Sequence, residues 1–302
     1  MSGNATPGLN QGRVVAITGA GQGIGRAHAH AFAADGAAVI VADYDGPAAE
    51  AVADEIRDAG GRAIEVVGDV ADWAVGARIV EAAVAEFGAL DVLVNNAGFV
   101  RDRMLVAMSE GEWDDVIRVH LKGHFVGLRH AAEYWRAQAK SGSPRQARVI
   151  NTSSGAGLFG SIGQGNYVAA KAGIAALTVQ AAAELGAYGV TVNAIAPAAR
   201  TRMTMGAGDA MAEQMAAPAD GSFDAMDPAN VSPLVVWLGS TASSSVTGRV
   251  FEVEGGKIAV ADGWQRSVER DKGDRWRPDE LGPVIDDILA DAPDPMPVYG
   301  AR

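Results

Sequence analysis

Tyr167 and Lys171 stand four residues apart in an alanine-rich stretch of helical period, so both side chains share one helix face. A phenol beside an ammonium is a device for moving protons: the positive charge favours phenolate and draws the phenol down from its ordinary value of about 10. Such a group can take a proton from a secondary hydroxyl as hydride leaves, or return one to a carbonyl oxygen. Ser154 precedes Tyr167 by 13 positions and follows a β-branched run, so its hydroxyl can face the same oxygen and steady the charge developing there. That spacing favours it over Ser153. Singly, a Tyr and Lys at this spacing are most often a surface pair, and a Ser after a strand a turn residue.

A second set of residues is suited to binding rather than reacting. Thr18-Gly-Ala-Gly-Gln-Gly-Ile-Gly25 joins a predicted strand to a predicted helix. Glycines there permit a tight turn and close backbone approach to a pyrophosphate, and the helix N-terminus adds a favourable dipole. The spacing departs from strict G-x-G-x-x-G, and alone the turn is also compatible with a plain strand-to-helix connection. Asp43 closes the second strand about 20 residues on, where a carboxylate accepts hydrogen bonds from adenosine ribose hydroxyls and repels a 2′-phosphate. Tyr44 follows it, and no Lys or Arg lies in the glycine turn, which favours NAD over NADP.

Short β-branched runs alternate with longer helical stretches, as repeated βαβ units do. Strands are predicted at 13–18, 37–43, 62–67, 91–95, 148–152, 190–196 and 250–253. Helices are predicted from the glycine turn to about 35, from Pro47, and over 72–87, 109–140, 164–185 and 232–238. Ser109 with Glu112 forms a capping box. The fold class is therefore α/β: a single-domain, Rossmann-type, doubly wound parallel sheet of about seven strands with helices on both faces, spanning 1–262. Residues 197–230 lose periodicity and gather Met203, Met205, Met211 and Met215, which suits a flap over a large apolar ligand. The extension 263–302 is charged, with one amphipathic stretch at 281–289, and is expected to pack over a neighbouring subunit or the flap.

Composition removes several classes of function. The chain of 302 residues has no cysteine, so disulfides, thiol nucleophiles and Cys-ligated metals are absent. A net charge of −12 argues against nucleic acid and anionic membranes, which need clustered cations. Without an apolar run of about 18 residues or a signal-like start, a cytoplasmic protein is expected, with no membrane partner. His28 and His30, and His124 and His130, do not share helix faces, so no metal site is expected.

In order along the chain, Thr18 to Gly25, Asp69-Val70, Asn95-Asn-Ala-Gly98, and Ser154 with Tyr167-x-x-x-Lys171 resemble the short-chain dehydrogenase/reductase family over nearly the whole chain to about residue 260. Arg101-Asp-Arg103, the run Arg118 to Phe125, the run Ile195 to Thr204 and Val250-Phe-Glu-Val253 look like the (3R)-hydroxyacyl-CoA dehydrogenase domain of peroxisomal multifunctional enzymes, also described as a 17β-hydroxysteroid dehydrogenase. The resemblance implies reversible oxidation of a secondary alcohol, with Ser154, Tyr167 and Lys171 catalytic. It implies cofactor contacts at Gly19, Gln22, Gly23, Ile24, Gly25, Asp43, Asp69 (adenine), Val70, Asn95 and Thr201 (nicotinamide carboxamide), with Tyr167 and Lys171 also at the cofactor. Asn96 is expected to tie strands together. Many relatives carry an asparagine in the long fourth helix that links the lysine to solvent; this chain has His120, a candidate for the same support or else a core histidine. The substrate expected is a bulky acyl-CoA, with a steroid alcohol as the alternative and a catalytically silent NAD(H) sensor as the rival of another class. A homodimer or homotetramer is expected through the small residues Ala169, Ala170, Ala172, Ala175 and Ala176.

Overall fold

The computed structural model describes residues 7–201, 215–261 and 263–300. Its strands are β1 (Val14–Thr18), β2 (Ala38–Asp43), β3 (Arg62–Val67), β4 (Val92–Asn95), β5 (Ala147–Thr152), β6 (Val190–Ala198), β7 (Val250–Glu254) and β8 (Lys257–Ala261). Its helices are α1 (Gly23–Ala34), α2 (Gly46–Asp58), α3 (Trp73–Phe87), α4 (Glu110–Ile117), α5 (Gly123–Lys140), α6 (Gly155–Phe159), α7 (Gly165–Leu185), α8 (Ser232–Gly239) and α9 (Leu281–Asp291).

The strands form one sheet in the order β3-β2-β1-β4-β5-β6-β7-β8. The first seven are parallel, and β8 returns antiparallel along β7. The sheet thus has eight strands rather than about seven. Lys257–Ala261 was not foreseen because its side chains are largely exposed, leaving no burial pattern to read in the sequence.

β1 and β2 are buried along their whole length, which is why they read as unbroken apolar runs rather than alternating ones. Alternate residues serve opposite layers. Val15 and Ile17 meet Phe32 of α1, Ile56 of α2 and Leu238 of α8, while Val14 and Ala16 join Ile79 of α3 and Trp135 of α5. Both faces are covered, as expected.

The predicted helix over 109–140 is divided. The capping box of Ser109 and Glu112 starts α4, but Arg118–Lys122 forms one π turn before α5 continues to Lys140. An inserted π turn rotates the side chains beyond it and often marks a working site; here it carries His120. In the flap, Met203, Met205 and Met211 lie outside the described residues, as does the boundary at 262. The later flap is anchored: Arg200 pairs with Asp224, and its guanidinium donates to the Met215 carbonyl at 2.8 Å.

Gly165–Tyr188, α7 with its closing turn, is the one described segment long and apolar enough to cross a membrane by length and composition. It packs on the sheet with Asn166, Lys171 and Thr178 among its buried residues, as a core helix does. α9 buries no residue, and Arg270 pairs with its Asp287 and Asp291, each at 2.6 Å.

Trp135 is fully buried and its indole donates to the Leu90 carbonyl at 2.7 Å, pinning α5 just ahead of β4. Trp135→Ala should lower unfolding free energy by about 3–5 kcal/mol, measurable as a lower urea midpoint; an unchanged midpoint would show that α5 is not held there.

Candidate active site

Between β1 and β4 the strand order reverses, and chains leaving the two strand ends part to opposite faces. A cleft of about 890 Å³ opens at that point. Its floor is the glycine turn. Gly19 has φ +63°, and a Cβ there would stand 2.7 Å from the Ala97 Cα, so a side chain is excluded both by conformation and by space. At Gly25 a Cβ would lie 2.1 Å from the Gly19 carbonyl oxygen, so α1 can start directly beneath the turn only without one. Gln22, Gly23 and Ile24 line the cleft with Gly19, and Thr201 faces Gly23 across it.

Asp43 stands at one end. Its carboxylate accepts from the Gly21 amide at 2.8 Å and the Asp45 amide at 3.0 Å, which holds it rigidly beside the turn. Asp69 and Val70 form the next wall. Burial pushes the Asp69 carboxyl up, but Arg118 and the Ala71 amide outweigh it and hold the group below its ordinary value. Its oxygens are thus engaged by an arginine that the sequence did not connect with it.

Asn95 is not on the cleft wall. It is buried, and its amide donates to Asn151 Oδ1 at 3.0 Å and to the His124 carbonyl at 3.3 Å, joining β4 to β5 and α5. Asn96 lines the cleft while donating to the Thr18 and Gly19 carbonyls. Asn96 thus ties the ends of β4 and β1, as expected, while also lining the cleft; consecutive residues leave a strand on opposite faces, so Asn95 turns to the covered side.

The reactive set lies at the other end of the cleft. Lys171 is buried, and its ammonium donates to the Thr152 carbonyl at the end of β5, 2.6 Å away. Burial draws it down to about 7. Its nitrogen is 5.4 Å from the centre of the Tyr167 ring. Ser154 caps α6 and draws the Tyr167 phenol down, whereas Ser153 spends its hydroxyl on the Lys171 carbonyl at 2.9 Å. Ser153 is the serine that lines the cleft, whereas Ser154 is the one that acts on the phenol.

The expected acidification of Tyr167 by Lys171 does not dominate. Burial raises the phenol above its ordinary value, the Ser154 bond opposes this, and Asp102 adds to it. The phenol is protonated at neutral pH, ready to give a proton to a carbonyl oxygen. Asn166 fixes the start of α7: its amide nitrogen donates to the Arg101 and Glu112 carbonyls, and its oxygen accepts from the Tyr167 amide at 2.7 Å.

His120 lies edge-on to Tyr167, ring centres 5.3 Å apart. Its Nε2 is 2.7 Å from the Phe99 carbonyl and 3.0 Å from the Phe99 amide, so the tautomer selects which bond forms; Nδ1 has no partner among the described residues. Burial and then the Lys171 charge push it down to about 3. It is therefore a neutral imidazole, with one donor and one acceptor, as an amide side chain has. Gly98 makes room for it, since a Cβ there would come within 2.0 Å of the ring.

Phe99, Val100 and Arg101 also line the cleft and were not singled out as site residues, and neither was Arg118. Arg101 and Arg118 stood inside runs that carried the closer resemblance, whereas Phe99 and Val100 had only adjacency to Asn95-Asn-Ala-Gly98 as a signal. No group of His, Asp and Glu suited to a metal occurs among the described residues.

A glycine turn between strand and helix, a carboxylate fixed beside it and a Tyr-Lys pair in one cleft fit a nicotinamide-dependent oxidoreductase. The glycine turn, which a Cβ would fill, fits the dinucleotide. Residues 13–212 match the model of the short chain dehydrogenase family, and the chain belongs to that family. It is 45% identical over 288 residues to "Hydroxyacyl-CoA dehydrogenase ChsB1" of Mycobacterium tuberculosis, covering 92% of this chain and 89% of that one. It is 39% identical over 273 residues to "Peroxisomal multifunctional enzyme type 2" of Mus musculus, covering 87% of this chain but only 34% of that one. A solved short chain dehydrogenase from Mycobacterium avium superposes with a TM-score of 0.88 at 57% identity, covering 97% of this chain and all of that one.

His120 binds a proton in the unfolded chain below pH 6.5 but in the folded one only near 3, so stability falls as pH drops through that window. His120→Asn should make the loss shallower in acid-unfolding curves. It will not abolish it, because burial holds His28 down to about 3 with the same sign. An identical slope in the variant would refute the buried neutral imidazole.

Proposed function

We propose that this enzyme interconverts a 3-hydroxyacyl-CoA and its 3-keto form using NAD. What carries the proposal is the single cleft joining Asp43 and the glycine turn to Tyr167 and Lys171. The mycobacterial relative's name supports the acyl-CoA class. A bound nicotinamide supplies or accepts the hydride. The chain's own residues handle the proton: Tyr167 gives one to the carbonyl oxygen in reduction and takes one from the hydroxyl in oxidation, while Ser154 bonds the same oxygen. Lys171 with its value near 7 sits beside the phenol and charges as pH falls, favouring phenolate only when protonated.

NAD is favoured because the Asp43 carboxylate is held in place by two backbone amides and would oppose a 2′-phosphate. Thr201 is assigned to the nicotinamide carboxamide and His120 to support of Lys171. Of the small residues expected at a subunit interface, Ala172 and Ala176 are exposed on α7 and Ala169 and Ala175 half-buried, suited to a homodimer or homotetramer, whereas Ala170 is fully buried in the core and cannot contribute. A chain without cysteine suits the reducing cytoplasm.

Turnover should be followed by nicotinamide absorbance with 3-hydroxyacyl-CoAs and steroid alcohols in parallel. Turnover of steroids alone would reject the acyl-CoA reading. Tyr167→Phe should lose at least about a hundredfold in kcat, and wild-type turnover would remove the phenol from the mechanism. Asp43→Ser should raise the NADP/NAD ratio of kcat/KM; an unaltered ratio would exclude the carboxylate as discriminator.

A further inference from the structure

α6 has five residues, three of them Gly155, Gly157 or neighbours too small to anchor it, and a helix so short does not hold itself. One side rests directly on α7, where a Cβ at Gly157 would lie 2.6 Å from the Lys171 carbonyl carbon. The other side is held by the end of the chain. The Tyr299 amide donates to the Gly160 carbonyl at 3.2 Å, and the Ile162 amide donates to the Tyr299 carbonyl at 3.0 Å. These bonds form a parallel bridge between Ser161 and Tyr299. The Tyr299 ring meets Phe159 edge to face at 6.2 Å, its hydroxyl lies over Gly155, and Val298 lies against Gly160.

Beyond the bridge, the same segment pairs with the cleft loop: Arg103 bridges Gln164, and its amide donates to the Gly163 carbonyl at 2.7 Å. Gln164 also bonds Asp102, three residues before Tyr167 in α7 begins its reactive face. The stretch from Ser154 to Gln164 thus links the two reactive hydroxyls and lies between the tail and the loop 101–103. The extension thus contacts the chain's own segment 155–162, a contact that the sequence did not indicate.

We propose that residues 298–300 are a strap that sets the position of Ser154, with Tyr299 as its positioning residue. The proposal rests on Ser154 and Tyr167 acting as described. Loss of the strap lets the Ser154 hydroxyl drift from the phenol, and drifts of about 1 Å cost catalysis up to about a hundredfold. The Ser154 hydroxyl draws the phenol down, so its displacement raises the basic limb of the pH profile.

The test compares full-length Tyr299→Ala and Tyr299→Phe with wild type on whichever substrate the wild type turns over, so a wrong substrate class leaves it intact. Tyr299→Ala should lower kcat by about tenfold or more, leave KM for the dinucleotide within about twofold and move the basic limb upward. Tyr299→Phe, which keeps the ring on Phe159 and the backbone bridge, should restore most of kcat. Amide exchange at Ile162 should quicken in the Ala variant, a readout that stands even if Tyr167 proves dispensable. Unchanged kcat and basic limb in Tyr299→Ala, or unchanged Ile162 exchange, would overturn the strap.

Discussion

The bond from the buried Lys171 ammonium to the Thr152 carbonyl is the constraint around which the reactive end is organised. A cation inside a protein is costly unless it is well bonded, and this one lowers the cost by sitting at a strand end and by drawing down toward neutrality. The bond ties α7 to β5 at the point where Ser153 and Ser154 leave the sheet. Ser153 reinforces the tie by donating to the Lys171 carbonyl. Tyr167, one helical turn earlier, is therefore delivered to Ser154 by the packing of helix on sheet rather than by any flexible loop.

Around that tie the titrating groups are arranged by burial. His120, His124 and Tyr167 are all driven toward their neutral forms, and Lys171 part of the way. An apolar, close-packed surrounding leaves a neutral phenol next to an imidazole that carries no charge at neutral pH. The π turn at Arg118–Lys122 is what turns His120 toward Tyr167, and the missing side chain at Gly98 is what admits the ring. A local irregularity in a helix and a glycine in a neighbouring loop thus act together on one side chain.

Most of the fold was legible because its strands and helices carry strong periods: every predicted strand occurs within a residue or two, and the capping box at Ser109 sits where the pattern placed it. The Tyr167-Lys171 pair and the glycine turn were legible for a different reason, since each is defined by spacing within one element or one turn. What escaped depends on distant partners. β8 exists only because β7 offers a free edge, and the Asn95 amide looks inward only because Asn151 stands opposite it in β5.

From sequence alone came an α/β chain with a glycine turn between strand and helix, a carboxylate at the end of the second strand and a Tyr-Lys pair on one helix face, because all of these are set by residues close together in the chain. Only the tertiary structure decided the electrostatics and the assignments among near-equals: which of two asparagines faces the cleft, that desolvation rather than Lys171 governs the phenol, that Arg118 holds Asp69, and that Tyr299 pairs with Ser161 beside α6. These depend on burial and on contacts between residues scores of positions apart, and periodicity carries no record of either.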